Sequence, residues 1–121
     1  MSDDADRIHR ALTEERADTA AQISALTADL DGIIEAAAMV ATDDEHDPEG
    51  TTIAYERAHT AALLAAAVTR LGDLDRALAR HAAGDYGRCE ACGGPIAPDR
   101  LAARPAATTC IACASAPRGT R

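Results

Sequence analysis

The sequence predicts a mainly α-helical protein: a long antiparallel helical hairpin of the coiled-coil type, followed by a small C-terminal module with four cysteines. Three observations predict this fold class. Alanine supplies about a quarter of the 121 residues and there is no Phe or Trp, so large side chains are too scarce for a thick core. Two long segments carry apolar residues at intervals of three and four, which is typical of paired helices. All four cysteines lie between residues 89 and 113.

The first helix is predicted over residues 1–41. Ser2, Asp3 and Asp4 suit an N-terminal cap and first turn. Ile8 lies one position off the apolar seam, so we expect the seam to shift or fray near the N-terminus. The seam residues, of which the first three are weaker, are Leu12, Arg16, Thr19, Ile23, Leu26, Leu30, Ile33, Ala37 and Val40.

An acidic turn over residues 42–50 is predicted to form the tip of the hairpin. Asp47, Pro48 and Glu49 are typical of a helix start, with Asp as the cap, Pro at the first helical position and Glu in the first turn. The second helix is predicted over residues 48–82, which gives a hairpin over 1–83. Gly84 is placed to end that helix in a left-handed turn. The second seam consists of Ile53, Arg57, Thr60, Leu64, Ala67, Leu71, Leu74, Leu78 and His81.

Charge is unevenly distributed along the chain. Residues 1–50 carry a net charge of −11 and residues 51–121 a net charge of +3, within a total of −8. The acidic first half disfavours direct DNA binding, because neutralising phosphates requires Lys or Arg. The sequence has neither a cationic, apolar N-terminal signal nor an apolar run of about 18 residues, so we expect a cytoplasmic protein without a membrane segment.

The cysteines form two CxxC pairs, Cys89 with Cys92 and Cys110 with Cys113, which 17 residues separate. This spacing matches a zinc template in which each tight turn offers two thiolates and two turns complete a tetrahedron. We therefore predict a four-cysteine zinc finger over 84–114, with one structural Zn²⁺ per chain and a flexible tail over 115–121. A redox-active CxxC or a disulfide pair is the alternative, which a reducing compartment disfavours.

The cysteine module carries several further features around its two CxxC pairs. They are Tyr86-Gly87 before the first cysteine, CxxCG, Ile96, the RLxARP block with Arg100, Leu101, Arg104 and Pro105, and Ala107 ahead of the second CxxC. With these features the module resembles the zinc finger of the DksA/TraR family of transcription regulators. The long hairpin with an acidic tip ahead of the finger also has the family's order.

The resemblance implies a function. Members of this family bind bacterial RNA polymerase, insert the coiled coil into its secondary channel and modulate initiation through acidic residues at the tip. Some act jointly with the alarmone ppGpp. Carried over to this chain, the resemblance implies a regulator of transcription, which we expect to act as a monomer. Its tip residues are Asp43, Asp44, Glu45, Asp47 and Glu49, and its candidate polymerase or nucleotide contacts are Arg100 and Arg104.

The chain departs from the family's pattern at two places. The best-studied family tip reads DxxDxA, whereas here Asp44 and Asp47 supply the acids and Glu49 takes the alanine position. Members that respond to ppGpp also use lysines on the second helix and directly after the last cysteine. This chain has no lysine, and Ala114 follows Cys113. We therefore expect an altered tip activity and no strong dependence on ppGpp.

Structural roles also account for several of these residues. Asp47 can be simply a helix cap, the charges of 43–46 a solvated turn, and Arg100 and Arg104 donors to carbonyls within the finger. We expect His81 to pack near the finger and not to bind metal. Two other functions stay open: a zinc ribbon that binds nucleic acid, which would need a basic or aromatic face, and a structural coiled coil that dimerises through its seam. No catalytic motif points to an enzyme.

Overall fold

A computed structural model describes residues 2–40 and 48–116 of the chain. Four helices follow one another in sequence: α1 (Ser2–Val40), α2 (Pro48–Ala83), α3 (Pro98–Ala103) and α4 (Ile111–Ala114). Within the described residues, β structure is limited to an isolated antiparallel bridge between Arg88 and Pro95. The predicted mainly α fold is therefore confirmed. None of the described helices combines the length and the apolar character that crossing a membrane requires.

The two long helices match their predicted bounds to within one residue. Pro48 opens α2, as predicted. A proline fits this position because the first helical N–H has no partner within the helix. Asp47, the predicted cap, lies in the stretch 41–47 outside the described residues.

Helix α2 ends in the predicted left-handed turn. Gly84 has φ of +84°. Its N–H donates to the carbonyl of His81 at 3.2 Å, and the N–H of Asp85 donates to the carbonyl of Arg80 at 2.8 Å. These two hydrogen bonds form a Schellman motif, which satisfies carbonyls that the helix leaves free. The turn directs the chain into the cysteine module.

The chain divides into two compact units. The finger unit comprises Met1–Arg16 and Gly72–Arg121, and the helical unit comprises Ala17–Leu71. In both units α1 and α2 are antiparallel partners. In the finger unit Arg16 pairs with Asp75, and in the helical unit Ile33 and Ile53 line the same groove.

The core of the finger unit lies where α1, α2 and the cysteine module meet. Leu12, Leu74 and Ala77 are almost completely buried there. Ile8 packs against this cluster, so the seam of α1 shifts near its N-terminus and does not fray. The remaining partly buried side chains of the cluster are Leu78, Tyr86 and Ala106.

The seam of the helical unit is mostly half-buried. Thr19 and Ala67 are buried, and both are small side chains that allow the helices to approach closely. Two helices cannot enclose a seam on all sides, so its larger residues keep some exposure. Among the predicted seam positions whose side chains the structure describes, Arg57 is the exception, because it is exposed. A guanidinium without a buried partner is more stable in water.

An ion pair links the two long helices in the finger unit. The Arg16 Nε donates to Asp75 Oδ1, and Arg16 Nη2 donates to Asp75 Oδ2 at 3.4 Å. The hydrogen bond from Arg16 lowers the pKa of Asp75, and the same contact raises the pKa of Arg16. Arg16 was predicted only as a weak seam residue, and its seam position is what aims it at α2.

Leu74→Ala is expected to lower the free energy of unfolding of the zinc-loaded protein by about 2–5 kcal/mol, because it leaves a cavity in the core. Chemical denaturation followed by circular dichroism measures this loss. Leu63→Ala is the matched control on the same helix, since Leu63 is 43% exposed; it should cost about 0.5 kcal/mol or less. Equal losses for the two variants would contradict the assignment of the core.

Arg16→Gln is expected to raise the pKa of Asp75 towards its ordinary value of 3.8. Because the folded-state pKa is lowered, the pair stabilises the protein fully above 3.8 and this stabilisation is lost as the pH falls through the lowered value. Titration of the carboxyl carbons by NMR measures the shift. Arg7→Gln removes an equal charge from α1, where Arg7 pairs with Asp4, and should leave Asp75 unchanged. If Asp75 had the same pKa in Arg16→Gln as in the unsubstituted protein, the ion pair would be disproved.

Candidate metal centre

The first CxxC pair lies on a tight turn closed by its own backbone. The N–H of Cys89 donates to the carbonyl of Gly94 at 2.8 Å, and the N–H of Gly93 donates to the carbonyl of Cys89 at 2.9 Å. Gly93 has φ of +79°, a conformation in which an L side chain is strained. The N–H of Gly94 lies 3.4 Å from the Cys92 Sγ, so the turn also supplies a donor to a thiolate.

The second CxxC pair spans the start of a short helix. Cys110 directly precedes α4 and Cys113 lies within it. The N–H of Ala114 donates to the carbonyl of Cys110 at 2.9 Å, which closes the turn. The two turns are joined by the N–H of Glu90, which donates to the carbonyl of Thr108 at 2.8 Å. Backbone contacts thus hold the two cysteine pairs face to face.

The four cysteine sulfurs converge on one point. All four Sγ atoms lie within 4.8 Å of one another, and the Cys92 and Cys110 sulfurs are 3.9 Å apart. A zinc ion with bonds of about 2.3 Å to four tetrahedral sulfurs requires sulfur separations of roughly 3.8 Å. Cys89 is buried, Cys92 is exposed, and Cys110 and Cys113 are half-buried. The cluster has the number, type and spacing of ligands of a closed structural zinc site.

The thiols of the cluster resist ionising together. Hydrogen bonding from the backbone of Cys110 is the main cause that lowers the pKa of Cys89 to about 6. Hydrogen bonds with the side chains of Cys110, Cys89 and Cys92 raise the pKa of Cys113 to about 12. Cys89 is therefore the thiol that ionises more readily, while Cys113 keeps the proton that it shares with the neighbouring sulfurs. A divalent cation would replace that proton as the shared partner of the sulfurs, which is a second reason that the site fits zinc.

Helix α3 was not predicted and lies between the two cysteine pairs. It begins with Pro98 and carries Asp99 in its first turn, a signal that could have revealed it. Arg100 on this helix donates its Nε to the carbonyl of Thr109 at 2.8 Å, directly before Cys110. Arg100 is half-buried, whereas Arg104 is exposed.

Three side-chain rings, one each from the finger, α2 and α1, lie next to one another: Tyr86, His81 and His9. The hydroxyl of Tyr86 donates to the carbonyl of Pro105 at 2.8 Å, and burial raises the pKa of Tyr86. The His81 ring meets Tyr86 edge-on at 6.1 Å and lies 5.9 Å from the His9 ring. Among the described residues, the metal-binding cluster contains the four cysteines without His81. His81 thus packs beside the finger, as its sequence position indicated.

Of the five residues predicted for the acidic tip, Asp43, Asp44, Glu45 and Asp47 lie outside the described residues, and the side chain of Glu49 is not described either. Their role at the tip of the hairpin stays a prediction, as does any contact of Arg100 or Arg104 with a partner.

Residues 84–117 match the family described as the prokaryotic dksA/traR C4-type zinc finger. The module is a DksA/TraR zinc finger. The predicted resemblance is thereby confirmed, and so is zinc as the structural cofactor. The chain is also similar to the solved structure of transcription factor DksA2 from Pseudomonas aeruginosa, with 28% identity over 91% of this chain and 79% of that chain, and a TM-score of 0.74. No curated protein sequence matches the chain.

Cys92→Ser is expected to weaken zinc binding by at least about a hundredfold, because four ligands share roughly 10–16 kcal/mol of zinc-binding free energy. Competition with a coloured chelator measures the affinity. Amide NMR signals of the DksA/TraR finger should lose their dispersion, while far-UV circular dichroism keeps most of the signal of α1 and α2. Ala112→Ser places a hydroxyl between the second pair of cysteines without removing a thiolate and should bind zinc normally. Unchanged affinity in Cys92→Ser would contradict the four-sulfur site.

Proposed function

We propose that this chain regulates transcription by binding bacterial RNA polymerase, with its acidic hairpin tip in the secondary channel and its DksA/TraR finger at the channel rim. The observation that carries the proposal is that hairpin and finger occur together. The similarity to a transcription factor extends over 91% of the chain, well beyond the finger.

The charge of the helical unit supports this proposal. Residues 17–71 contain ten acidic residues and only two arginines. A hairpin of two helices with this surplus of negative charge is attracted to the positive potential around a catalytic metal ion. In the proposed complex Asp44 and Asp47, with their neighbours Asp43, Glu45 and Glu49, act at the tip. One chain suffices for this insertion, so the protein would act as a monomer in the cytoplasm.

The two finger arginines are proposed to have different roles. Arg104 is exposed and therefore accessible to a partner. Arg100 is half-buried and holds the carbonyl of Thr109, so its contribution to docking would run mainly through the shape of the finger. The absence of lysine and the alanine at 114 support little dependence on ppGpp.

Binding to core RNA polymerase from the chain's own organism tests the proposal. The zinc-loaded protein should displace a labelled secondary-channel factor at micromolar concentration or below, which fluorescence anisotropy measures. Asp44→Asn/Asp47→Asn should still bind but lose most of its effect on transcription in vitro, because the tip carboxylates are neutralised. Adding ppGpp should change little in the effect of the unsubstituted protein on transcription.

The double variant Asp29→Asn/Asp31→Asn is the matched control. It removes the same two charges from exposed positions on α1 and should keep the effect on transcription. If both double variants lost the effect on transcription equally, the effect would depend on net charge, and the tip residues would have no specific role. Absence of binding at micromolar concentration would overturn the proposed function.

A further inference from the structure

The end of helix α2 carries an arginine that contacts three acceptors of the DksA/TraR finger. Arg80 Nη1 donates to Glu90 Oε2 at 3.1 Å. Arg80 Nη2 donates to the carbonyl of Asp85 at 3.1 Å and also to the carbonyl of Arg88. Its side chain is only 21% exposed. The planar guanidinium, with five N–H groups in a fixed arrangement, suits this set of acceptors.

These acceptors lie on the segment that forms the first metal-binding turn. The carbonyls of Asp85 and Arg88 precede Cys89, and Glu90 directly follows it. The N–H of Glu90 donates to Thr108, two residues before Cys110. Arg80 is therefore joined through Glu90 to both cysteine pairs, and its own carbonyl closes the Schellman turn by accepting from Asp85.

We propose that Arg80 is a positioning residue that couples zinc binding in the finger to the last turn of α2. With zinc bound, the backbone around Cys89 is fixed, and Arg80 finds its three acceptors in place. Without zinc the acceptors disperse and the arginine contributes little. Linkage requires that whatever Arg80 adds to the stability of the zinc-loaded protein beyond what it adds to the zinc-stripped protein also tightens zinc binding. This inference does not depend on RNA polymerase.

A simpler role for Arg80 makes a different prediction. A cation in the last turn of a helix stabilises it by interacting with the helix dipole. That stabilisation would be the same with and without zinc, and a lysine would supply it equally well.

The test compares Arg80→Ala, Arg80→Lys and Glu90→Gln in the full chain. Zinc affinity is measured by competition with a coloured chelator, and thermal unfolding is followed by far-UV circular dichroism in zinc-loaded and zinc-stripped protein. Arg76→Ala is the matched control, because Arg76 lies one turn earlier and pairs with Asp73 on the same helix.

Arg80→Ala should weaken zinc binding by about tenfold, the lower end of the effect of removing groups that orient metal ligands. It should lower the melting temperature of the loaded protein and leave that of the stripped protein unchanged. Arg80→Lys should resemble Arg80→Ala in zinc affinity, since one ammonium cannot occupy three separate acceptors in fixed geometry. Glu90→Gln should show a smaller loss, and Arg76→Ala no loss.

Two results would overturn the proposal. Equal destabilisation of loaded and stripped protein by Arg80→Ala would assign Arg80 to the helix end alone. Full zinc affinity in Arg80→Lys would show that charge, and not the arrangement of donors, is what matters. If Arg80→Ala fails to fold, Glu90→Gln and Arg80→Lys still decide, because each leaves either the arginine or the charge in place.

Discussion

Four thiolates can be held within a few ångströms of one another only when a cation lies between them. Hydrogen bonds lower the pKa of Cys89 and raise that of Cys113, so one sulfur keeps a proton that its neighbours share unless a cation replaces it. The described part of the finger buries few other side chains, with Cys89 and Ile96 as its buried residues. A module with so little apolar core needs the free energy of metal binding to fold. Zinc is thus the condition on which the geometry of the finger depends.

The finger is fixed to the helices by more than the covalent chain. Tyr86 and Ala106 pack against the cluster of Leu12 and Leu74 on α1 and α2, while Tyr86 also donates to the Pro105 carbonyl. Apolar contact and hydrogen bonding therefore meet at the same ring. Because the finger shares its core with the long helices, the proposed coupling between the metal site and the end of α2 has packing contacts to support it besides those of Arg80.

Sequence patterns were sufficient for features that depend on local spacing. The three-and-four periodicity, Pro48 and Gly84 determined the long helices to within a residue, and the CxxC spacing predicted the sulfur cluster. Sequence patterns did not predict the contacts of long polar side chains, because Arg80 and Arg16 bind partners that only the tertiary structure brings close. The sequence did contain a signal for the Arg16 ion pair, since an arginine at a seam position implies a carboxylate on the facing helix. The acidic tip was predicted over 42–50, of which residues 42–47 lie outside the described residues, so its role rests on resemblance alone.

The distribution of charge separates the two units in a way that favours a partner. In the finger unit, Arg16, Arg80 and Arg100 each donate to a carboxylate or carbonyl of the same unit. The helical unit instead has ten acidic residues and two arginines, and such like charges destabilise a folded state by mutual repulsion. The buried core of Leu12, Leu74 and Ala77 and the ion pairs of Arg16 and Arg80 thus lie in the unit that contains the metal centre. The helical unit bears uncompensated negative charge that stability alone would not favour, and a positively charged binding site would relieve it. That unequal distribution is what the proposed insertion into a polymerase channel explains and what a purely structural coiled coil does not.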